Sequence, residues 1–194
     1  GLAWLHLAGE GYPGRRANDL GQSAWSPLFA KHRKAAEDLK PGLSATIDND
    51  LAQLALMWPR SLPSGVIHAD YFPDNVFFQS NGKFAAAIDF YFACEDSYAY
   101  DVAVTLNAWC FEPDGSFNIT AAKALLNGYE RRRPLSPAEK EALPILARGA
   151  AMRFFLTRLA DWGSTPAGAL VKPKDPLEYE RKLAVHREGL VLFA

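Results

Sequence analysis

The 194-residue chain is 49% hydrophobic, enough for one ordinary domain whose core needs no disulfide or metal to hold it. Its 21 Lys and Arg against 22 Asp and Glu leave a formal net charge of -1, which excludes a global electrostatic bias toward nucleic acid or an anionic membrane. Cys94 and Cys110 form no C-x-x-C pair, so a zinc ribbon and a disulfide scaffold are excluded, and a reducing cytoplasm is expected.

Leu2, Leu5 and Leu7, with Trp4 and His6, read as the tail of a helix that Gly9 and Gly11 stop. No apolar stretch approaches the roughly 18 residues that span a bilayer, and the opening residues lack the basic start and long apolar core of a signal peptide. Gly9-Glu10-Gly11-Tyr12-Pro13-Gly14 fits the letters G-x-G-x-x-G, but the phosphate-gripping version follows a strand. Here it follows a helical pattern and Pro13 interrupts it, so it reads as a helix stop and loop. A second helix is expected from Ser23 to about Leu39, with Ser23 or Ser26 as its cap and Pro27 in its first turn. From Ser44, the spacing of Ile47, Leu51, Leu54 and Trp58 gives a helix packed on one face and ended at Pro59.

The middle of the chain carries three short runs, GVIHA, NVFFQ and KFAAAIDF, and Asn81-Gly82 between the last two signals a hairpin. Helical patterns return at about 99–110, 119–131, 137–162 and 176–190. Ser136, Pro137 and Glu139 open the third of these with a cap, a first-turn proline and an early acid. Arg131-Arg132-Arg133 reads as the solvated end of a helix rather than a phosphate-tracking stripe. The expected fold is mainly α with a small antiparallel β cluster, an α+β domain.

Chemistry concentrates in His68-Ala69-Asp70-Tyr71-Phe72-Pro73-Asp74-Asn75, followed fourteen residues after Asn75 by Asp89. Phosphoryl transfer from a nucleotide requires an acceptor hydroxyl held in line and magnesium held against the phosphates. Asp70, in a loop after a short strand, suits the first task. Asn75 and Asp89 offer hard oxygen ligands for the second, and the hairpin between them folds the chain back so that they meet. Asp74, beside Pro73, reads as a turn residue. A metallohydrolase built on His68, Asp70 and Asp89 lacks the further histidines such a centre recruits.

These motifs resemble the carboxyl-terminal lobe of the protein-kinase-like phosphotransferases, in the branch with aminoglycoside phosphotransferases, choline kinases and homoserine kinases. Tyr100-Asp101-Val102-Ala103 matches that family's D-[LIV]-A step at the start of the following helix. The resemblance implies ATP and magnesium, with Asp70 as the catalytic acid and Asn75 and Asp89 as the magnesium ligands. It further implies His68 as the loop-bracing histidine and Asp101 as the clamp on the catalytic loop.

The wording of Val66 to Asn75, of Asn107-Ala108-Trp109-Cys110-Phe111 and of Arg148 to Phe154 is most similar to the homoserine-kinase branch. That likeness implies L-homoserine as the acceptor, converted to O-phospho-L-homoserine in threonine biosynthesis. An aminoglycoside, choline or a sugar-like alcohol is the alternative acceptor; Glu95-Asp96 is the only nearby acidic pair for a polycation. A non-catalytic kinase-like binding module would be expected to lose Asp70 or a metal ligand, and neither is lost.

For the acceptor's carboxylate the candidates are Arg148, on the apolar face of the long helix, and Arg153, on a side of small residues. An internal salt bridge to an acid such as Asp101 or Glu95 is the competing reading for each. Tyr71, Asn107 and Trp109 are candidate lining residues. The resemblance also implies an amino-terminal sheet lobe carrying a Gly-rich cover and a lysine, neither of which is read in this chain. Residues 1–194 are therefore expected to be a single carboxyl-terminal lobe, a truncated form with little transfer activity alone.

Overall fold

The computed structural model describes residues 1–164, 173–189 and 192. Helices α1 (Leu2–Ala8), α2 (Gln22–Leu39) and α3 (Leu43–Met57) come first. Two small antiparallel sheets follow, β1 (Ser64–Ile67) with β4 (Cys94–Ser97), and β2 (Val76–Phe78) with β3 (Phe84–Ala87). Helices α4 (Tyr98–Trp109), α5 (Ile119–Glu130), α6 (Pro137–Ser164) and α7 (Pro176–Glu188) complete the order. This is the expected mainly α architecture with a small β cluster. The expected end of the last helix at residue 190 lies outside the described residues.

The core is built around α4, whose residues from Tyr98 to Asn107 are all buried. Helix α6 packs along α4 and itself supports α2 and α7. Trp25 and Trp58 meet edge-on at 4.9 Å over Gly149 of α6. A Cβ on Gly149 would stand 2.1 Å from the Trp58 ring, so only glycine admits the indole. Interior glycine costs a helix about 1 kcal/mol against alanine; the closer packing of two large aromatics offsets it.

Local signals explain most boundaries. Ser136 Oγ accepts from Glu139 N at 3.2 Å while Glu139 carboxylate accepts from Ser136 N at 2.8 Å, a reciprocal cap that starts α6 with Pro137 in its first turn. Asn118 and Asp175 cap α5 and α7 through bonds to Ala121 N and Leu177 N. Helix α2 departs from expectation: it begins at Gln22 after Gly21, with no side-chain cap, so neither Ser23 nor Ser26 caps it and Pro27 lies inside the helix. Strand β4 was not legible, because Cys94-Glu95-Asp96-Ser97 carries two residues that strands avoid. It forms by pairing with β1, Ile67 opposite Cys94 and Ser64 opposite Ser97.

The hairpin closes through a three-residue loop, Gln79 N donating to Lys83 O at 2.8 Å and Gly82 N to Gln79 O at 2.9 Å. Gly82 alone takes a left-handed conformation, φ 76°, as a three-residue loop requires.

On the far side of α4, Asn107 donates to Ala147 O at 2.7 Å, accepts from His186 Nε2 at 2.7 Å through its side-chain oxygen, and through its carbonyl from Lys182 Nζ at 2.9 Å. Burial, helped by the nearby charges of Arg148 and Lys182, pushes the His186 imidazole down to about 3. Below pH 6.5 the unfolded chain then takes up a proton that the folded chain refuses, so stability falls as pH drops. This one group is expected to cost about 2 kcal/mol between pH 7 and pH 5. Urea midpoints at the two pH values should show this loss in the parent and a smaller one in His186→Gln.

Candidate active site

His68, Ala69 and Asp70 follow β1 and run across the amino-terminal turn of α4, where Asp101 is fully buried. Asp101 accepts from His68 N and from Ala69 N, each at 2.8 Å, and its Oδ2 lies 3.0 Å from His6 Nε2. His6 Nδ1 in turn meets the Tyr129 hydroxyl at 2.7 Å, so one carboxylate joins α1, α4, α5 and the loop. His68 Nε2 lies 3.0 Å from Ile88 O, while its Nδ1 accepts from Asp70 N at 3.2 Å. A carbonyl only accepts and an amide N–H only donates, so the ring carries its proton on Nε2. His68 thereby ties the loop to the exit of β3.

Ala69 has φ 61°, a left-handed conformation that costs a non-glycine residue on the order of 1–3 kcal/mol and persists where its surroundings hold it. Both of its peptide groups are gripped, the N–H by Asp101 and the carbonyl by Arg153 Nη1 at 2.8 Å. The strain turns the chain so that Asp70 leaves the core side and enters a cleft. Burial raises the Asp70 carboxyl above the usual carboxylate range, opposed by the charges of Arg153 and His68 and reinforced by Asp89.

Asn75 Nδ2 donates to Asp70 O at 2.8 Å and to its carboxylate at 3.2 Å, which leaves Asn75 Oδ1 for another partner. Ile88 N donates to Asn75 O at 2.9 Å, extending the hairpin pairing by one step and setting Asp89 beside Asn75. Asp89 also has positive φ, 62°. Asp70, Asn75 and Asp89 line one cavity of about 500 Å³, together with Arg153, Arg158, Asp161 and Lys174.

The other candidates separate. Arg153 is 3% exposed, lies 4.0 Å over the Phe154 ring, and has no carboxylate salt bridge among the described residues. Arg148 is absent from the cleft: it pairs with buried Asp50, which Arg187 also grips. The internal acid that neutralises it is therefore Asp50, and neither Asp101 nor Glu95. Arg148→Leu is expected to cost about 1–3 kcal/mol in a urea melt and to leave the acceptor KM unchanged, because Arg187 still holds Asp50.

Asn107 sits in the core network described above. Tyr71 and Trp109, whose Nε1 donates to Tyr71 O at 2.8 Å, line a separate hollow between α1, α4 and the hairpin. Glu95 and Asp96 bond to Arg15 and Asn18 outside the cleft. The G-x-G-x-x-G letters begin at the cap of α1 and follow no strand. His6, Arg158, Asp161 and Lys174 were missed. The spacing of Arg153, Thr157 and Asp161, four residues apart along one helix face, was the available signal for the last helical member.

A buried carboxylate clamping a short loop, with an acid and two oxygen donors on one cleft wall, has the form of a phosphotransfer lobe. The model of the phosphotransferase enzyme family matches residues 1–135, and the chain belongs to that family. A homoserine kinase of Caulobacter vibrioides (strain NA1000 / CB15N) is 94% identical over 194 residues, which make up 100% of this chain and 61% of that protein. A homoserine kinase of Phenylobacterium zucineum is 70% identical over 100% of this chain and 60% of its own length. The fold is also that of an ethanolamine kinase structure from Plasmodium vivax, with TM-score 0.64 and 14% identity over 96% of this chain and 56% of that one. The chain thus spans about three fifths of the curated relatives it matches.

Proposed function

We propose that this chain carries the catalytic centre of an ATP- and magnesium-dependent kinase that phosphorylates the hydroxyl of L-homoserine, forming O-phospho-L-homoserine for threonine biosynthesis in the cytoplasm. The observation that carries the reading is the joint presence of Asp70, Asn75 and Asp89 on one cavity wall, with the loop fixed by Asp101. Asp70 accepts a hydrogen bond from the acceptor hydroxyl and orients its oxygen toward the γ-phosphorus of ATP. As that oxygen–phosphorus bond forms, the bond from phosphorus to the departing ADP oxygen breaks, and the hydroxyl proton passes to the Asp70 carboxylate.

Asn75 Oδ1 and the Asp89 carboxylate would hold magnesium. Two protein oxygens fit an ion that prefers to keep waters and phosphate oxygens as its other ligands. When bound, it supplies charge neutralisation to the phosphates. Half-exposed Ile88 and Phe90 flank Asp89 and offer an apolar surface to a nucleotide base.

The acceptor wall supports the choice of substrate. Arg153, Arg158 and Lys174 share the lining with Asp161, so the cavity offers both signs of charge and suits an acceptor that carries a carboxylate as well as an ammonium. Release of ADP by the intact protein, compared across L-homoserine, choline, an aminoglycoside and a sugar alcohol, tests the reading. Turnover with L-homoserine is expected; turnover with choline or the aminoglycoside and none with L-homoserine would overturn it.

A further inference from the structure

Helix α6 lines the same cavity as Asn75 and Asp89, and contributes Arg153, Thr157, Arg158 and Asp161 to it. Arg153 Nη1 donates to Ala69 O, next to Asp70, so the Arg153 guanidinium marks the end of the helix face that meets the Asp70 loop. Arg158 lies five residues on, about 7.5 Å of helix rise, and Asp161 a further 4.5 Å or so. Residues three apart are surface neighbours on a helix. A cation and an acid therefore stand side by side, one to two turns from the chemistry. In an amino acid the carboxylate and ammonium share one carbon, and in L-homoserine four bonds separate the carboxylate carbon from the hydroxyl oxygen.

The guanidinium of Arg158 is held ready. It is 8% exposed, lies 4.5 Å over the Tyr179 ring, and makes its hydrogen bonds among the described residues from Nη1 alone, to Asp175 O at 3.1 Å and Glu178 Oε2 at 2.7 Å. Its Nε and Nη2 make no hydrogen bond among the described residues, and a planar fork of this kind suits a carboxylate. Lys174, its ammonium 5.8 Å from the Phe72 centroid, adds positive charge on the same side. Phe72 and Phe154, in edge contact at 5.0 Å, line the same cavity with apolar surface suited to methylenes.

We infer that Arg158 and Asp161 read the acceptor's α-carboxylate and α-ammonium, so that α6 acts as a ruler selecting a zwitterionic amino acid whose hydroxyl reaches Asp70. The inference rests on the proposed reading of Asp70 as the residue that receives the hydroxyl.

The test is a cycle of variants against truncated acceptors in the intact enzyme, with melting temperatures confirming that each variant is folded. 4-Hydroxybutyrate lacks the ammonium and 3-amino-1-propanol lacks the carboxylate; where either turns over too slowly, its inhibition constant against L-homoserine is read instead. Asp161→Asn is expected to lower kcat/KM for L-homoserine about tenfold or more, mainly through KM, and to leave 4-hydroxybutyrate unchanged. Arg158→Lys should weaken L-homoserine and 4-hydroxybutyrate together and spare 3-amino-1-propanol.

If Asp161→Asn weakened L-homoserine and 4-hydroxybutyrate equally, or weakened neither, Asp161 would not read the ammonium and the inference would fall while the kinase reading stood. A parent enzyme that turns over 3-amino-1-propanol as well as L-homoserine would remove Arg158 from carboxylate recognition. A parent enzyme inert toward L-homoserine but active on another alcohol would end the kinase reading itself.

Discussion

Asp70→Asn is expected to lower kcat of the intact enzyme by about 10²–10⁴-fold, the usual span for loss of a positioned proton acceptor. The amide has the shape of the carboxylate and keeps an oxygen that can accept from Asn75 Nδ2, which now bonds the Asp70 carboxylate at 3.2 Å. Acceptor KM should therefore change little, since what is lost is the receipt of the proton as the new bond forms. Stability should not fall. Burial raises the Asp70 carboxyl, so at neutral pH the charged form opposes folding, and a neutral amide relieves that cost. A slower enzyme with an equal or higher melting temperature is the combined signature of a group kept for chemistry at the expense of stability.

Asp101→Asn is expected to damage both stability and rate, although the residue never meets substrate. Its two oxygens accept from His68 N and Ala69 N, and the second of these holds a left-handed backbone. An asparagine can offer an oxygen to only one of them and must turn an N–H₂ toward the other, leaving a buried amide donor facing a donor. The loss should be about 3 kcal/mol or more, because a fully buried charged acceptor is removed from three partners, His6 included. With Ala69 released, Asp70 no longer has a fixed aim, so kcat should fall at least about tenfold in whatever fraction remains folded. Urea melts and kcat measured below the midpoint separate the two effects. A variant as stable and as fast as the parent would remove Asp101 from its clamping role.

Much of this was legible because local chemistry and global fold agree. The capping box at Ser136 and Glu139, the apolar periodicity of α3 and the Asn81-Gly82 turn each specify their element within a few residues, and all three elements form. The meeting of Asn75 with Asp89 followed from hairpin geometry, since strands joined by a short loop must pair. What was not legible depends on contacts between distant segments. Strand β4 exists only because β1 lies beside it, against the preference of Glu95 and Asp96. His6 looks like a histidine on an apolar helix, and its partners Asp101 and Tyr129 stand 95 and 123 residues away.

The two arginines of α6 illustrate the same limit. Spacing put Arg148 on the apolar face and Arg153 beside small residues, but it contains nothing about which neighbour brings an acid. Asp50 of α3 reaches Arg148 and neutralises it, whereas Arg153 finds the Ala69 carbonyl and the faces of Phe92 and Phe154. One is thereby a core ion pair and the other faces the cleft.

The central claim is that Asp70, Asn75 and Asp89 serve transfer of a phosphoryl group to the hydroxyl of L-homoserine. Phosphorus-31 magnetic resonance of the intact enzyme with ATP, magnesium and L-homoserine tests it most directly. Equimolar appearance of ADP and a phosphomonoester on the side-chain oxygen is the predicted result. ADP accompanied only by inorganic phosphate, or no ADP with L-homoserine while another alcohol is phosphorylated, would contradict it.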